Sequence, residues 1–301
     1  QGARVIKVEP MNMGDPLRYI GANKGGISSL FANCNRGKQS MRVNLKDETG
    51  QLLIREMIPE VDIFIHNFRP GVMDKLNLGS EALRALNPKL IYTAISGFGK
   101  AGPLGQAPAY DPIIQAQAGL AATQGKEGEP AFFRTLICDK ITAYTACQAV
   151  TCALYVREKT GEGQYIDLSM LDSGLFFIFS DGFQNHTLLD EDHERGPMLI
   201  DLLYELTMTN DGAVTISAGT EEMQMRSLIA VGMEHLLADE RFNSFEKMVA
   251  NLAEFKDLLR DAYLQYTTDE IIAKLKEADV PCARCLSKDE VLAQEQVVAN
   301  G

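Results

Sequence analysis

The stretch VDIFIHNFRPGVMDKLNLGSEALRALNPKLIYTAISGFG, residues 61–99, decides the fold class. It opens on a β-branched and aromatic run, Val61 to Asn67, and closes on a second one, Leu90 to Ser96. Between them Ser80 to Leu86 carries helical spacing. On the N-terminal side, Arg4 to Glu9 and Ser40 to Leu45 read as further strands and Glu48 to Met57 as a further helix. Strands alternating with helices predict an α/β fold with a parallel, Rossmann-like sheet. Helices at Pro112 to Thr123, Lys140 to Arg157 and Leu168 to Phe179 are then expected to pack on it.

From Asp181 to Asp201 the periodicity gives way to His, Asn, Asp, Glu, Gly and Pro, the composition of a surface linker. Beyond it, Tyr204 to Thr209 and Ala213 to Ala218 flank Asn210-Asp211-Gly212. This is a hairpin pattern in which Asp-Gly supplies positive φ. Helical spacing dominates from Met223 to Asp289. A chain of 301 residues is long enough for two cores. We therefore expect a large α/β domain over 1–185, a linker over 186–203 and a small α+β domain over 204–301.

The formal charge of −12 argues against a nucleic-acid partner, whose phosphates call for a basic face. No apolar run approaches a membrane span and Gln1 begins no signal segment, so a soluble, cytoplasmic protein is expected. Of the six cysteines, Cys34, Cys138, Cys147 and Cys152 lie in apolar runs. They read as small buried hydrophobes rather than a disulfide framework. Cys282-Ala283-Arg284-Cys285 is formally CxxC but has no second pair. His186 and His193, among Asp190, Glu191, Asp192 and Glu194, match no metal-ligand spacing, so no metal site is expected.

Asp139 is the most reactive position in the pattern. It ends the apolar run Leu136-Ile137-Cys138 and opens the stretch Ile141 to Tyr155, which is almost free of charge. A carboxylate there is held ionised by helix N–H groups while apolar neighbours strip it of water, the condition for a nucleophile. The same position equally suits a helix N-cap. Gly97-Phe98-Gly99-Lys100-Ala101-Gly102 fits GxGxxG, yet Pro103, Gly105 and Pro108 prolong a loop where a dinucleotide fingerprint needs a helix.

Several segments occur in one order: Val5-Ile6-Lys7-Val8-Glu9-Pro10, Asn35-Arg36-Gly37-Lys38, Asn67-Phe68-Arg69-Pro70-Gly71, Leu86-Asn87-Pro88, Ser96-Gly97-Phe98-Gly99 and Arg157-Glu158-Lys159-Thr160-Gly161. Together they resemble the family III CoA-transferases, which include formyl-CoA transferase, the CaiB and BaiF enzymes and alpha-methylacyl-CoA racemase. The resemblance runs almost end to end, closing with Val280-Pro281-Cys282 and Glu290-Val291-Leu292-Ala293. It implies a homodimer of interlocked rings, an earlier βα unit before Gln1 and a returning segment after Gly301.

The resemblance also implies roles. Asp139 matches the catalytic aspartate. Asn67, Phe68, Arg69, Ser96, Gly97, Phe98, Gly99 and Lys100 match the walls of the CoA channel, with Arg36 and Lys38 near its phosphates; by itself Arg69 also suits an ordinary turn, and Arg36 and Lys38 also suit solvated charge at a strand entrance. CoA and acyl-CoA are then substrates, exchanged with carboxylic acids, and no cofactor is permanently bound. N–H groups near residues 139–141 and in the Gly97 loop are expected to serve as oxyanion donors. Tyr110, Asp111 and Glu222 are expected at the substrate pocket. Tyr110-Asp111 resembles a His-Asp pair in the racemases, and a tyrosine, with an ordinary pKa of about 10, cannot replace a histidine base near neutrality. Transfer of CoA is therefore the leading reading. A 2-methylacyl-CoA racemase, which Glu222 favours, and a non-catalytic acyl-CoA-binding protein stay open. Tyr144, Met170, Phe176 and Phe177 are acyl-pocket candidates whose composition favours the core.

Overall fold

The computed structural model describes residues 2–125, 128–190 and 192–301. In a first unit, Gln1–Ser180, the chain runs through β1 (Ile6–Glu9), β2 (Asn23–Lys24), β3 (Ile27–Ser28), α1 (Ser29–Asn35), β4 (Gln39–Arg42), α2 (Glu48–Met57), β5 (Ile63–His66) and α3 (Val72–Lys75). It continues through α4 (Ser80–Leu86), β6 (Ile91–Ser96), α5 (Asp111–Gln117), α6 (Leu120–Gln124), α7 (Ile137–Thr160), β7 (Tyr165–Ser169) and α8 (Met170–Gly182).

β5, β6 and β7 form a parallel sheet with β6 central, and β1 pairs parallel with β4. The register of the first sheet follows from its turns. The Asn87 amide donates to the carbonyls of Ile58 and Val61, at 3.1 and 3.0 Å, and so ties the approach to β6 to the approach to β5. Because β6 is central, both its faces are covered, and Ile91, Tyr92 and Thr93 are buried. Tyr92 packs into a core of Val43, Ile54, Ile58, Met73, Leu78, Leu83 and Leu90. Its hydroxyl donates to the Leu78 carbonyl at 2.9 Å. Each such buried side chain contributes about 1.5–3 kcal/mol. α7 contacts α5, β6 and β7, and buries Cys138, Ile141, Thr142, Ala146 and Ala153.

β1 is fastened by one buried carboxylate. Glu9 Oε2 accepts from Asp15 N at 2.8 Å and Arg18 Nε at 3.0 Å; Oε1 accepts from Arg18 Nη2 and Ser40 Oγ, both at 2.8 Å. The Arg18 hydrogen bond, outweighing burial and helped by Asp15 N–H and Ser40, lowers the Glu9 pKa from 4.5 to about 2. The Arg18 guanidinium lies 3.9 Å over the Phe31 ring.

Four expectations for this unit are corrected. The single helix over Pro112 to Thr123 is two, because Gly119 takes φ 81° and starts α6 in a new direction. Leu168 belongs to a strand, β7, which pairs with β6 before α8 begins. Cys34, Cys147 and Cys152 are exposed, and only Cys138 of the four is buried. Tyr144, Phe176 and Phe177 are exposed rather than core, at 74, 86 and 58 %.

The second unit, Asp181–Gly301, holds α9 (Leu199–Leu203), β8 (Thr207–Met208), β9 (Ala213–Ile216), α10 (Glu221–Ala230), α11 (Phe245–Ala250), α12 (Leu252–Tyr263), α13 (Thr268–Glu277), β10 (Cys282–Arg284), α14 (Lys288–Ala293) and α15 (Glu295–Asn300). The expected hairpin is β8–β9, with Met208 opposite Ala213. Gly212, however, does not take positive φ. Asp211 instead bonds Thr268 N and Oγ1, both at 2.7 Å, and a Cβ on Gly212 would lie 2.8 Å from Thr268 Oγ1.

β10 interrupts the helical region and adds antiparallel to β9, so the Cys282 end of the CxxC is sheet. Val214, Val231, Tyr263, Ile271, Leu275 and Val280 form the core of this unit. The linker reading over Asp181 to Asp201 is likewise interrupted by α9, and Glu191 lies outside the described residues. Among the described residues no helix is long and apolar enough to cross a membrane.

Candidate functional site

Asp139 is the third residue of α7, not its cap. The N-cap position is Leu136, whose side chain makes no capping bond. The first-turn N–H groups of a helix lack intrahelical partners, and that of Asp139 donates at 3.1 Å to Asp111 Oδ2. The expected oxyanion donor at Asp139 is therefore already engaged. Asp111 opens α5 and is 2 % exposed. Its Oδ1 accepts from Gln115 Nε2 at 2.6 Å, and Gln115 Oε1 in turn accepts from Phe133 N at 2.9 Å.

The Asp139 carboxyl itself is exposed. Partial desolvation by its surroundings, then the Asp111 charge, raise its pKa from its ordinary value against the opposing pull of Lys140. Burial, with smaller contributions from Asp111 and Asp139, pushes the adjacent Cys138 thiol up to about 12. Near neutrality Cys138 is a protonated thiol, and the carboxylate has no thiolate beside it.

A second locus runs along the β5–β6–β7 sheet, where Tyr92, Ala94 and Ser96 of β6 stand beside Tyr165 and Asp167 of β7, and reaches the loop that follows β5. A cavity of about 80 Å³ is lined there by His66, Phe68, Arg69, Ser96, Lys100, Tyr165 and Asp167, among others. His66 Nδ1 accepts from Phe68 N at 3.2 Å. Burial, against an opposing Asp74, lowers its pKa to about 4, so the ring is neutral and Nε2 carries the hydrogen.

Lys100 Nζ stands 3.5 Å from the Asp167 carboxylate and 3.9 Å over the Tyr165 ring. Burial pulls its pKa down, but Tyr165 and Asp167 together raise it. Ser96 Oγ accepts from Gly99 N at 3.0 Å, which engages that N–H of the glycine loop. A Cβ on Gly97 would lie 2.1 Å from Ala109 Cβ, which is why the loop requires glycine there.

Four of the sequence-predicted residues, Phe68, Arg69, Ser96 and Lys100, thus line one cavity, while Asn67, Gly97, Phe98 and Gly99 lie on the same two loops. Arg36 and Lys38 are exposed in the turn between α1 and β4, outside that lining. Tyr110 is 77 % exposed and immediately precedes the buried Asp111. Glu222 is exposed at the start of α10, in the second unit.

Sequence reasoning missed His66, Tyr165, Asp167 and Gln115. Tyr165 and Asp167 are two apart on a strand and so share a face, and Gln115 is four from Asp111 on a helix; those spacings were the available signals. Among the described residues no cluster of His, Cys, Asp and Glu has the makings of a metal site.

The model of CoA-transferase family III matches residues 1–301. This chain belongs to that family. The family III chain is 33 % identical, over 99 % of its length and 78 % of the relative's, to an acetyl-CoA:oxalate CoA-transferase of Acetobacter aceti. It is 31 % identical to a succinyl-CoA–D-citramalate CoA-transferase of Chloroflexus aurantiacus, over 99 and 75 % of the two chains. Its fold superposes on the crystal structure of a CAIB/BAIF family protein from Brucella suis with TM-score 0.88, at 31 % identity, covering 100 % of this chain and 81 % of that one. The chain is accordingly an enzyme of the family III CoA-transferase kind, with a mixed α/β fold built on parallel sheets.

Proposed function

We propose that this family III enzyme moves CoA from an acyl-CoA donor to a small carboxylic acid through covalent intermediates on Asp139. The observation that carries this reading is the exposed Asp139 carboxylate in the first turn of α7, with its pKa raised and its backbone held by Asp111. A more basic carboxylate is the stronger nucleophile. The relatives' names, each pairing an acyl-CoA with a carboxylic acid, support the substrate class.

The chemistry balances without an electron carrier. An Asp139 oxygen attacks the donor thioester carbonyl; the C–S bond breaks, leaving a mixed anhydride and CoA thiolate. The thiolate attacks the aspartyl carbonyl, releasing the donor acid and forming an aspartyl-CoA thioester. The acceptor carboxylate then attacks that thioester, expelling thiolate, which attacks the acceptor's acyl carbon to give the new acyl-CoA and free Asp139. Each step exchanges one activated acyl group for another, so holding the reactants in place is the main task of the protein.

In this reading CoA is a substrate and lies along the cavity lined by Phe68, Arg69, Ser96 and Lys100, beside Asn67, Gly97, Phe98 and Gly99. Arg36 and Lys38 are assigned to its phosphates, and Tyr110 and Glu222 to the acyl side. A homodimer belongs to the same reading, supported by the exposed Tyr144, Tyr155, Phe176 and Phe177 of α7 and α8.

One assay tests it: mixed acyl-CoAs and free acids in heavy water, followed by mass spectrometry. New CoA esters that vanish in Asp139→Ala are the expected result. Full transfer by Asp139→Ala removes Asp139 as the nucleophile, and deuterium gain at the α-carbon without new esters makes the enzyme a racemase.

A further inference from the structure

Beneath Asp139 lies a closed set of buried polar groups. Asp111 and Gln115 are each 2 % exposed. Gln115 Oε1 accepts the Phe133 N–H at 2.9 Å, while its Nε2 donates to Asp111 Oδ1 at 2.6 Å and reaches the carbonyls of Thr135 and Phe133 at 3.2 and 3.4 Å. Reversing the amide would set donors against the Phe133 N–H and an acceptor against three acceptors, so its orientation is unique. Asp111 Oδ1 therefore meets a donor, and Oδ2 meets another, the Asp139 N–H. A carboxylate, which only accepts, fits both contacts; a protonated acid or an asparagine fits one.

We propose that Asp111 is a positioning residue for the transfer reaction, gripping the Asp139 backbone while Gln115 locks that grip and the Phe133–Thr135 segment leading into α7. This rests on Asp139 being the nucleophile. Asp111 touches no reacting atom; it acts by fixing the first turn of α7, which carries the reacting carboxylate, and by its charge. The titratable groups facing Asp139 are Asp111 from α5 and, on α7 itself, Lys140 and the neutral thiol of Cys138. Removing the Asp111 charge leaves Asp139 its desolvation but takes away a like charge, so the carboxyl becomes easier to ionise.

The experiment uses the whole chain and two readouts. In the wild-type protein the Asp139 amide should exchange with solvent on the order of a hundredfold more slowly than an open amide. In Asp111→Asn, kcat should fall about tenfold or more through misplacement of the nucleophile. KM for acyl-CoA should stay within about twofold, and the acid limb of the pH–kcat profile should move to lower pH. A purely structural Asp111 would lower stability and leave that limb in place.

An unprotected Asp139 amide, or a folded Asp111→Asn enzyme whose profile superimposes on the wild type, overturns the proposal. Because Asp139→Ala is assayed separately, loss of its turnover keeps the nucleophile reading standing in either case. Should Asp111→Asn fail to fold, the exchange measurement decides alone.

Discussion

Replacing Glu9 by Gln keeps the shape of the side chain and removes its charge at the point where β1, β4 and the segment around Arg18 meet. The carboxylate takes hydrogen bonds from Asp15 N, Arg18 Nε, Arg18 Nη2 and Ser40 Oγ. Glutamine offers a single oxygen, and its amide NH2 must face donors in the place of the other. A stranded buried donor costs about 1–3 kcal/mol. Arg18 keeps 20 % of its side chain in solvent, so screening holds the total to about 2–3 kcal/mol.

The acid titration gives a similar figure. Lowering the pKa from 4.5 to about 2 corresponds to about 3 kcal/mol before screening and about 2 after it. A loss of about 2 kcal/mol lowers the melting midpoint of a unit this size by about 4–8 °C.

The sign follows from the depressed folded pKa. The contribution is present above pH 4.5 and is lost as pH falls towards 2. The gap between wild type and Glu9→Gln, followed by near-ultraviolet circular dichroism, should therefore be full at pH 6 and narrow by pH 3. Equal midpoints at pH 6, or a gap that does not narrow, would mean that the Glu9 charge does not fasten β1.

Two further outcomes follow from the glycine loop and the cavity. Gly97→Ala sets a new methyl 2.1 Å from Ala109 Cβ, which should cost about 1–3 kcal/mol of stability and depress transfer; Ala109→Gly should restore both, and a Gly97→Ala protein with wild-type melting and rate contradicts the close approach. Lys100→Met removes the ammonium held by Asp167 and Tyr165 and should raise KM for acyl-CoA about tenfold while leaving kcat within about twofold, the pattern of uniform binding lost. Unchanged KM, measured at low ionic strength, would take Lys100 out of the CoA channel.

What could be read from the sequence follows from where physics is local. α2 and α4 occupy the residues their spacing indicates, because capping and periodicity act within a few residues. Leu168 and Ser169 carry the spacing of the α8 helix that they directly abut, and only pairing with the distant β6 makes them the end of a strand. The helical spacing of Pro112 to Thr123 does not mark the positive φ at Gly119 that divides α5 from α6.

The chemistry divides in the same way. Asp139 could be singled out as a lone acid at a helix start, and family resemblance gathered Phe68, Arg69, Ser96 and Lys100, which the fold brings to one cavity. That Asp111 turns inward to a backbone N–H, and that Gln115 and His66 matter at all, depends on which faces of α5 and β5 are covered. Those facts belong to tertiary packing.

α7 is a rod clamped at the end remote from Asp139. There Arg157 bonds Asp62 at 2.9 Å and the Lys89 carbonyl at 3.3 Å, immediately ahead of β5 and β6, and Gly161 N–H closes the helix on Arg157 O at 2.7 Å. Over a length of roughly 36 Å a tilt of about 2° about that clamp displaces the opposite end by about 1 Å. A displacement of about that size is enough to slow an enzymatic step about a hundredfold. The aim of the carboxylate is thus set like that of a long lever, as much by the fulcrum at Arg157 as by the grip of Asp111 beside it.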